Sequence, residues 1–128
     1  MTIQEVAPLT ELAASHEVWQ DVCRLDDLTV ERGAAALVAG HPVALFRLDD
    51  EVLGIDDVDP FWGVAVLSRG IVGFLGGRDT VASPLLKQRF DLRTGACIDD
   101  ASVSVATWAV RVHLGRVEVA RDRSSAAP

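Results

Sequence analysis

The sequence predicts an all-β domain, an antiparallel sandwich or barrel with a loop-rich subdomain inserted between its strands. Three observations predict it. Short apolar runs recur between turn signals from residue 17 to residue 120, the pattern of a sheet protein. The run "TWAVRVHLGRVEVA", Thr107–Ala120, alternates with period two, as a half-buried strand does. Residues 56–95 lose that regularity and crowd Gly63, Gly70, Gly73, Gly76 and Gly77 with Pro60 and Pro84. Such density marks loops that need unusual dihedrals, and loops on a rigid scaffold carry function.

In chain order, residues 1–16 form a leader, expected as one helical turn or a strap across the body. Its opening is acidic and interrupted by Pro8, unlike a signal peptide. "WQDVCRL", from Trp19, reads as a first strand. "AAALVAG" and "VALFRL" flank a Gly40–His41–Pro42 turn and read as a hairpin. Asp49–Asp50–Glu51 is a second polar turn leading into "VLGI". Near the end, Trp108, Val110, Val112 and Leu114 are predicted to share one face, and Arg111 and His113 the other. After a turn at Gly115, Val117 and Val119 alternate with Arg116 and Glu118. Residues 121–128, "RDRSSAAP", have the composition of a frayed tail.

A chain of 128 residues fits one domain with a self-supporting core. A net charge of −7 argues against nucleic acid and anionic membrane as partners, because phosphate neutralisation needs a basic surface. No apolar run reaches the ~20 residues that span a bilayer. The two cysteines, Cys23 and Cys97, are too few for a disulfide framework. A reduced, cytoplasmic setting is expected, with both cysteines as buried small hydrophobes.

"RFDLRTG", residues 89–95, alternates Phe90 and Leu92 with Arg89, Asp91 and Arg93 before turning at Thr94–Gly95. By itself it is a half-buried strand ending in a tight turn. With the preceding "VASPLLKQ" it resembles the second cluster-binding loop of the Rieske [2Fe–2S] family. "GIDDVDPFWGVAVLSRG", residues 54–70, is similar to the first. That family holds its cluster with two thiolates on one iron and two imidazoles on the other, from a C-x-H and a C-x-x-H pair. Carried over, the four ligand places fall on Asp59, Phe61, Ser83 and Leu86, none of them a cysteine or histidine. A phenyl ring and a leucine cannot ligate iron, and carboxylate and hydroxyl oxygens do not replace thiolates on a sulfide-bridged cluster. The resemblance therefore implies a Rieske-like fold with no cluster.

"DPF", "VLSRGIVG" and "VASPLLKQRFDLRTGAC" together resemble the small subunits of assimilatory NAD(P)H-dependent nitrite reductases, from Trp19 to Val119. Trp62 departs from that pattern, which has a smaller residue there. The resemblance implies a small, non-catalytic partner within an oxidoreductase that reduces nitrite to ammonium. FAD, sirohaem and a [4Fe–4S] cluster would lie in the large partner subunit, and no catalytic, cofactor-binding or metal-binding residue on this chain. The same fold would also suit a free-standing interaction module of another redox complex.

From Val66 to Gly95, five basic residues (Arg69, Arg78, Lys87, Arg89 and Arg93) face only Asp79 and Asp91. A cationic loop region on an acidic domain is an electrostatic guide for a partner. Phe61 is expected to fill the volume a cluster would occupy, and Trp62 to stand out as an aromatic anchor. The docking candidates are Phe61, Trp62, Arg69, Lys87, Arg89 and Arg93. Asp56, Asp57 and Asp59 lack the spacing of a calcium loop and are expected to form a solvated turn rather than a metal site for a hydrolase.

Overall fold

The computed structural model describes residues 19–121; the predicted leader and all but the first residue of the predicted tail lie outside them. Twelve strands run in the order β1 (Trp19–Arg24), β2 (Gly33–Val38), β3 (His41–Leu48), β4 (Glu51–Asp56), β5 (Val58–Asp59), β6 (Val64–Ala65), β7 (Ile71–Leu75), β8 (Arg78–Ala82), β9 (Arg89–Asp91), β10 (Thr107–Trp108), β11 (Val110–His113) and β12 (Arg116–Ala120). Every pairing between them is antiparallel. Two sheets, β1-β12-β11 and β10-β4-β3-β2, form the base. The β5-β6 hairpin and the β7-β8-β9 sheet are inserted between β4 and β10, as the glycine- and proline-rich stretch predicted.

Strand β3 explains how the two parts become one body. Val43, Ala44, Leu45 and Phe46 are all buried, because both faces of the strand are covered. Val43 and Leu45 join Leu28, Val38, Val52, Trp108, Val117 and Val119 in the base core. Ala44 and Phe46, pointing the other way, join Ile55, Leu67, Val81, Phe90, Leu92, Cys97 and Val105 under the insertion. At Gly33 of β2 a Cβ would collide with the main-chain oxygen of Ser68, so only glycine lets the insertion pack this closely. Arg93 adds a polar tie, reaching Glu51 at the start of β4 at 2.8 Å and Asp79 of β8 at 3.2 Å.

Several expectations need correction. The first hairpin turns at Ala39–Gly40, both in the left-handed region, and His41 and Pro42 already belong to β3. Two positive-φ residues match the twist of a tight hairpin, and Leu114–Gly115 repeats that geometry. The apolar face predicted for residues 108–114 is buried only at its inner end. Trp108 is buried and Val110 half-buried, but Val112 is exposed and Leu114 is 88% exposed, since β11 is an edge strand running out past the core. Leu92 is buried but sits in the turn after β9, not in the strand. Cys97 is buried as expected, whereas Cys23 is half-buried. Among the described residues, no helix is long and apolar enough to cross a membrane.

Candidate functional site

The four residues that the resemblance sets at the ligand places, Asp59, Phe61, Ser83 and Leu86, lie on two loops of the insertion. Residues 59–63 turn between β5 and β6, and residues 83–88 connect β8 to β9. In the first turn the main-chain oxygen of Asp59 accepts from Trp62 N at 3.2 Å and Gly63 N at 2.7 Å, and its Oδ1 accepts from Phe61 N at 2.8 Å. In the second, Ser83 O accepts from Lys87 N at 3.0 Å, Ser83 N donates to Gln88 O at 2.8 Å, and Ser83 Oγ accepts from Leu85 N at 3.2 Å. Each of the two residues thus organises its own turn, as Asp and Ser do where short polar side chains capture nearby N–H groups.

The loops then meet. Ser83 Oγ donates to Asp59 Oδ2 at 2.6 Å, with both residues buried. Phe61 is half-buried and rests on Phe90, ring centroids 6.3 Å apart and tilted by 52°. Leu86 points outward, 58% exposed. These residues do not fit a [2Fe–2S] cluster. The two places the family gives to thiolates hold a carboxylate and a hydroxyl already bonded to each other. The two imidazole places hold hydrocarbon, one of them packed into the core. Among the described residues, no three His, Cys, Asp or Glu side chains gather to hold a metal ion.

The acidic run beside the site is not a solvated turn, as expected, but largely buried. Asp57 Oδ1 accepts from Ser68 N at 2.6 Å, and its main-chain oxygen accepts from Val66 and Leu67. Asp56 Oδ1 accepts from Trp108 Nε1 at 2.9 Å. These carboxylates satisfy N–H donors that a loop would otherwise leave unpaired. The hydrolase reading has no cluster of ligands to stand on.

The docking candidates divide into two groups. Arg89 forms an ion pair with Asp99 at 2.7 Å, and Arg93 clamps Glu51 and Asp79. Arg78 lies 3.7 Å from Asp91. The hydrogen bond from Arg89 draws the Asp99 carboxyl below its ordinary range, and that from Arg93 does the same to Glu51. Arg69 and Lys87 have no ion pair among the described residues. A local positive excess counted along the chain therefore overstates the positive charge on the surface.

Exposed hydrocarbon is what the loops offer in its place. Trp62 is 54% exposed, and Val64, Leu85 and Leu86 accompany it. Phe61 is half-buried against Phe90, and Trp62 beside it is exposed. Val64, Leu85 and Leu86 were not singled out as surface residues from the sequence. The signal available was apolar residues beside Pro60 and Pro84, in loops too short and irregular to bury them.

Comparison with known proteins places this geometry. A profile for the Rieske-like [2Fe-2S] domain matches residues 18–120. The nitrite reductase (NADH) small subunit of Escherichia coli (strain K12) is 43% identical over 103 residues, covering 79% of this chain and 95% of that protein. The NMR structure of the E. coli protein NirD superposes with a TM-score of 0.75 at 42% identity, covering 83% of this chain and 96% of the other. A segment of the nitrite reductase [NAD(P)H] large subunit of Klebsiella oxytoca is 39% identical over 109 residues, 85% of this chain but 11% of that protein.

Proposed function

The chain belongs to the Rieske-like [2Fe-2S] domain family, among its nitrite reductase small subunits, and from that premise we propose that it is a non-catalytic docking subunit of an NAD(P)H-dependent nitrite reductase. The observation that carries this reading is the pair of former ligand loops. They are brought together as a site would be, yet they present Trp62, Val64, Leu85 and Leu86 to solvent and no metal donor. Exposed apolar side chains on neighbouring loops suit an interaction site, and an aromatic residue among them suits an anchor.

The partner is the large subunit. The Klebsiella relative supports this choice, because there a segment like this chain is part of the large subunit's own polypeptide. Arg69 and Lys87 steer the encounter, Phe61 supports the tip from below, and Arg89 and Arg93 brace the insertion from within. Electrons from reduced nicotinamide reach nitrite through FAD, sirohaem and a [4Fe–4S] cluster in the large subunit, in the cytoplasm, and none passes through this chain. Residues 17–120 are the docking domain, with 1–16 as leader and 121–128 as tail.

Co-expression with the large subunit tests the reading. The two chains should co-purify, and nitrite-dependent oxidation of reduced nicotinamide should fall when this chain is omitted. Equal assembly and turnover without it would refute the role. The purified chain should also be colourless and free of iron by elemental analysis.

A further inference from the structure

We propose that the buried Asp59–Ser83 hydrogen bond is the cross-link that holds the two tip loops in register for docking, standing where a metal centre would otherwise join them. The proposal rests on the docking reading above for its consequence, and on geometry for its substance. Within each loop the backbone is closed by its own hydrogen bonds, to Asp59 in one and to Ser83 in the other. Among the described residues, the bond from Ser83 Oγ to Asp59 Oδ2 is the one hydrogen bond between the two loops. At 2.6 Å it lies toward the short end of the range for a hydroxyl donating to an oxygen. Asp59 is wholly buried and Ser83 nearly so, where an unmatched carboxylate oxygen is costly.

The two residues therefore act through others. Asp59 fixes Phe61 N and Gly63 N, so it sets the direction in which Trp62 leaves the loop. Ser83 fixes Leu85 N and Lys87 N, so it sets Leu85 and Leu86. Joining Asp59 to Ser83 aligns the aromatic half of the apolar tip with its aliphatic half. Neither residue touches solvent, so neither contacts the partner; both are positioning residues.

Amide hydrogen exchange of the full chain, read together with affinity for the large subunit, tests this. Ser83→Ala should raise exchange at Phe61 and Leu85 about tenfold, leave the β3 and β4 amides unchanged, and weaken binding of the large subunit about tenfold. Asp59→Asn keeps the shape and a neutral bond, so its effect should be smaller, roughly threefold; it carries the test should Ser83→Ala fail to fold. Unchanged protection at Phe61 and Leu85 in a folded variant overturns the cross-link, whatever the affinity does. Loosened loops with unchanged affinity overturn its link to docking. A wild-type chain that does not bind the large subunit refutes the docking reading instead, while the exchange data still judge the bond.

Discussion

The base and the insertion of this domain are held by different forces. The base core is Leu28, Val38, Val43, Leu45, Val52, Val117 and Val119 around Trp108, hydrocarbon gathered by strands that satisfy their own backbones. The insertion shares a hydrophobic core with β3, but it also contains every buried polar or charged side chain of the described residues: Asp57, Asp59, Ser68, Thr80, Ser83 and Asp91. The same device recurs three times. Asp57 accepts from Ser68 N, Asp59 from Phe61 N, and Asp91 Oδ1 from Arg93 N at 2.7 Å and Thr94 N at 3.1 Å. Where strands are two or three residues long, the ladder cannot satisfy the backbone, and carboxylates do it instead. Such turns are closed by hydrogen bonds to their own carboxylates.

The largest way to break that contrast is to attack the seam. Phe46→Ala removes the side chain that joins β3 to the insertion core and should cost about 3–5 kcal/mol, seen as a lowered denaturation midpoint for the whole domain. Separate transitions for base and insertion would show that the two cores do not fold as one.

An intermediate effect should distinguish polar from apolar support. Asp57→Ala strands the N–H of Ser68 and should cost about 1–3 kcal/mol. Exchange measurements should place the loosening at residues 66–70 and leave β11 and β12 unchanged. An equal loss across the base sheet would mean that Asp57 supports more than its own turn.

The smallest effect concerns the surface tie between the regions. Glu51→Gln weakens the clamp on Arg93, and exposed pairs of this kind contribute at most about 1 kcal/mol. The bond from Arg93 lowers the Glu51 pKa below its ordinary 4.5. Its stabilisation is therefore complete above that value and is lost as pH falls through the lower folded value. Urea midpoints of wild type and Glu51→Gln should differ slightly at pH 7 and converge in acid. A gap that persists at pH 2 would assign the effect to packing.

The same contrast governs how much could be read in advance. The base strands were legible because period-two alternation reports burial on one face, as at Val117 and Val119. Alternation failed at Val112 and Leu114 because it reports direction and not distance from the core. In the insertion, the glycines and prolines announced loops, and the resemblance pointed to Asp59, Phe61, Ser83 and Leu86 within them. What stayed hidden was pairing across the chain: Ser83 with Asp59, and Arg93 with Glu51 forty-two positions away. Asp57 and Asp59 looked solvated because a carboxylate's burial depends on donors that the fold delivers from elsewhere. For the same reason three of the five loop cations proved to be tied down.

The central claim is that the apolar tip, and not a metal centre, is this chain's working surface. Calorimetric titration of the large subunit with wild-type chain and with Trp62→Ala tests it most directly. Trp62 is exposed, so its removal should leave stability within about 0.5 kcal/mol of wild type. As an interface anchor its loss should cost about 2 kcal/mol of binding, roughly a thirtyfold weaker dissociation constant. Equal affinity for the two chains, with both folded, would contradict the account.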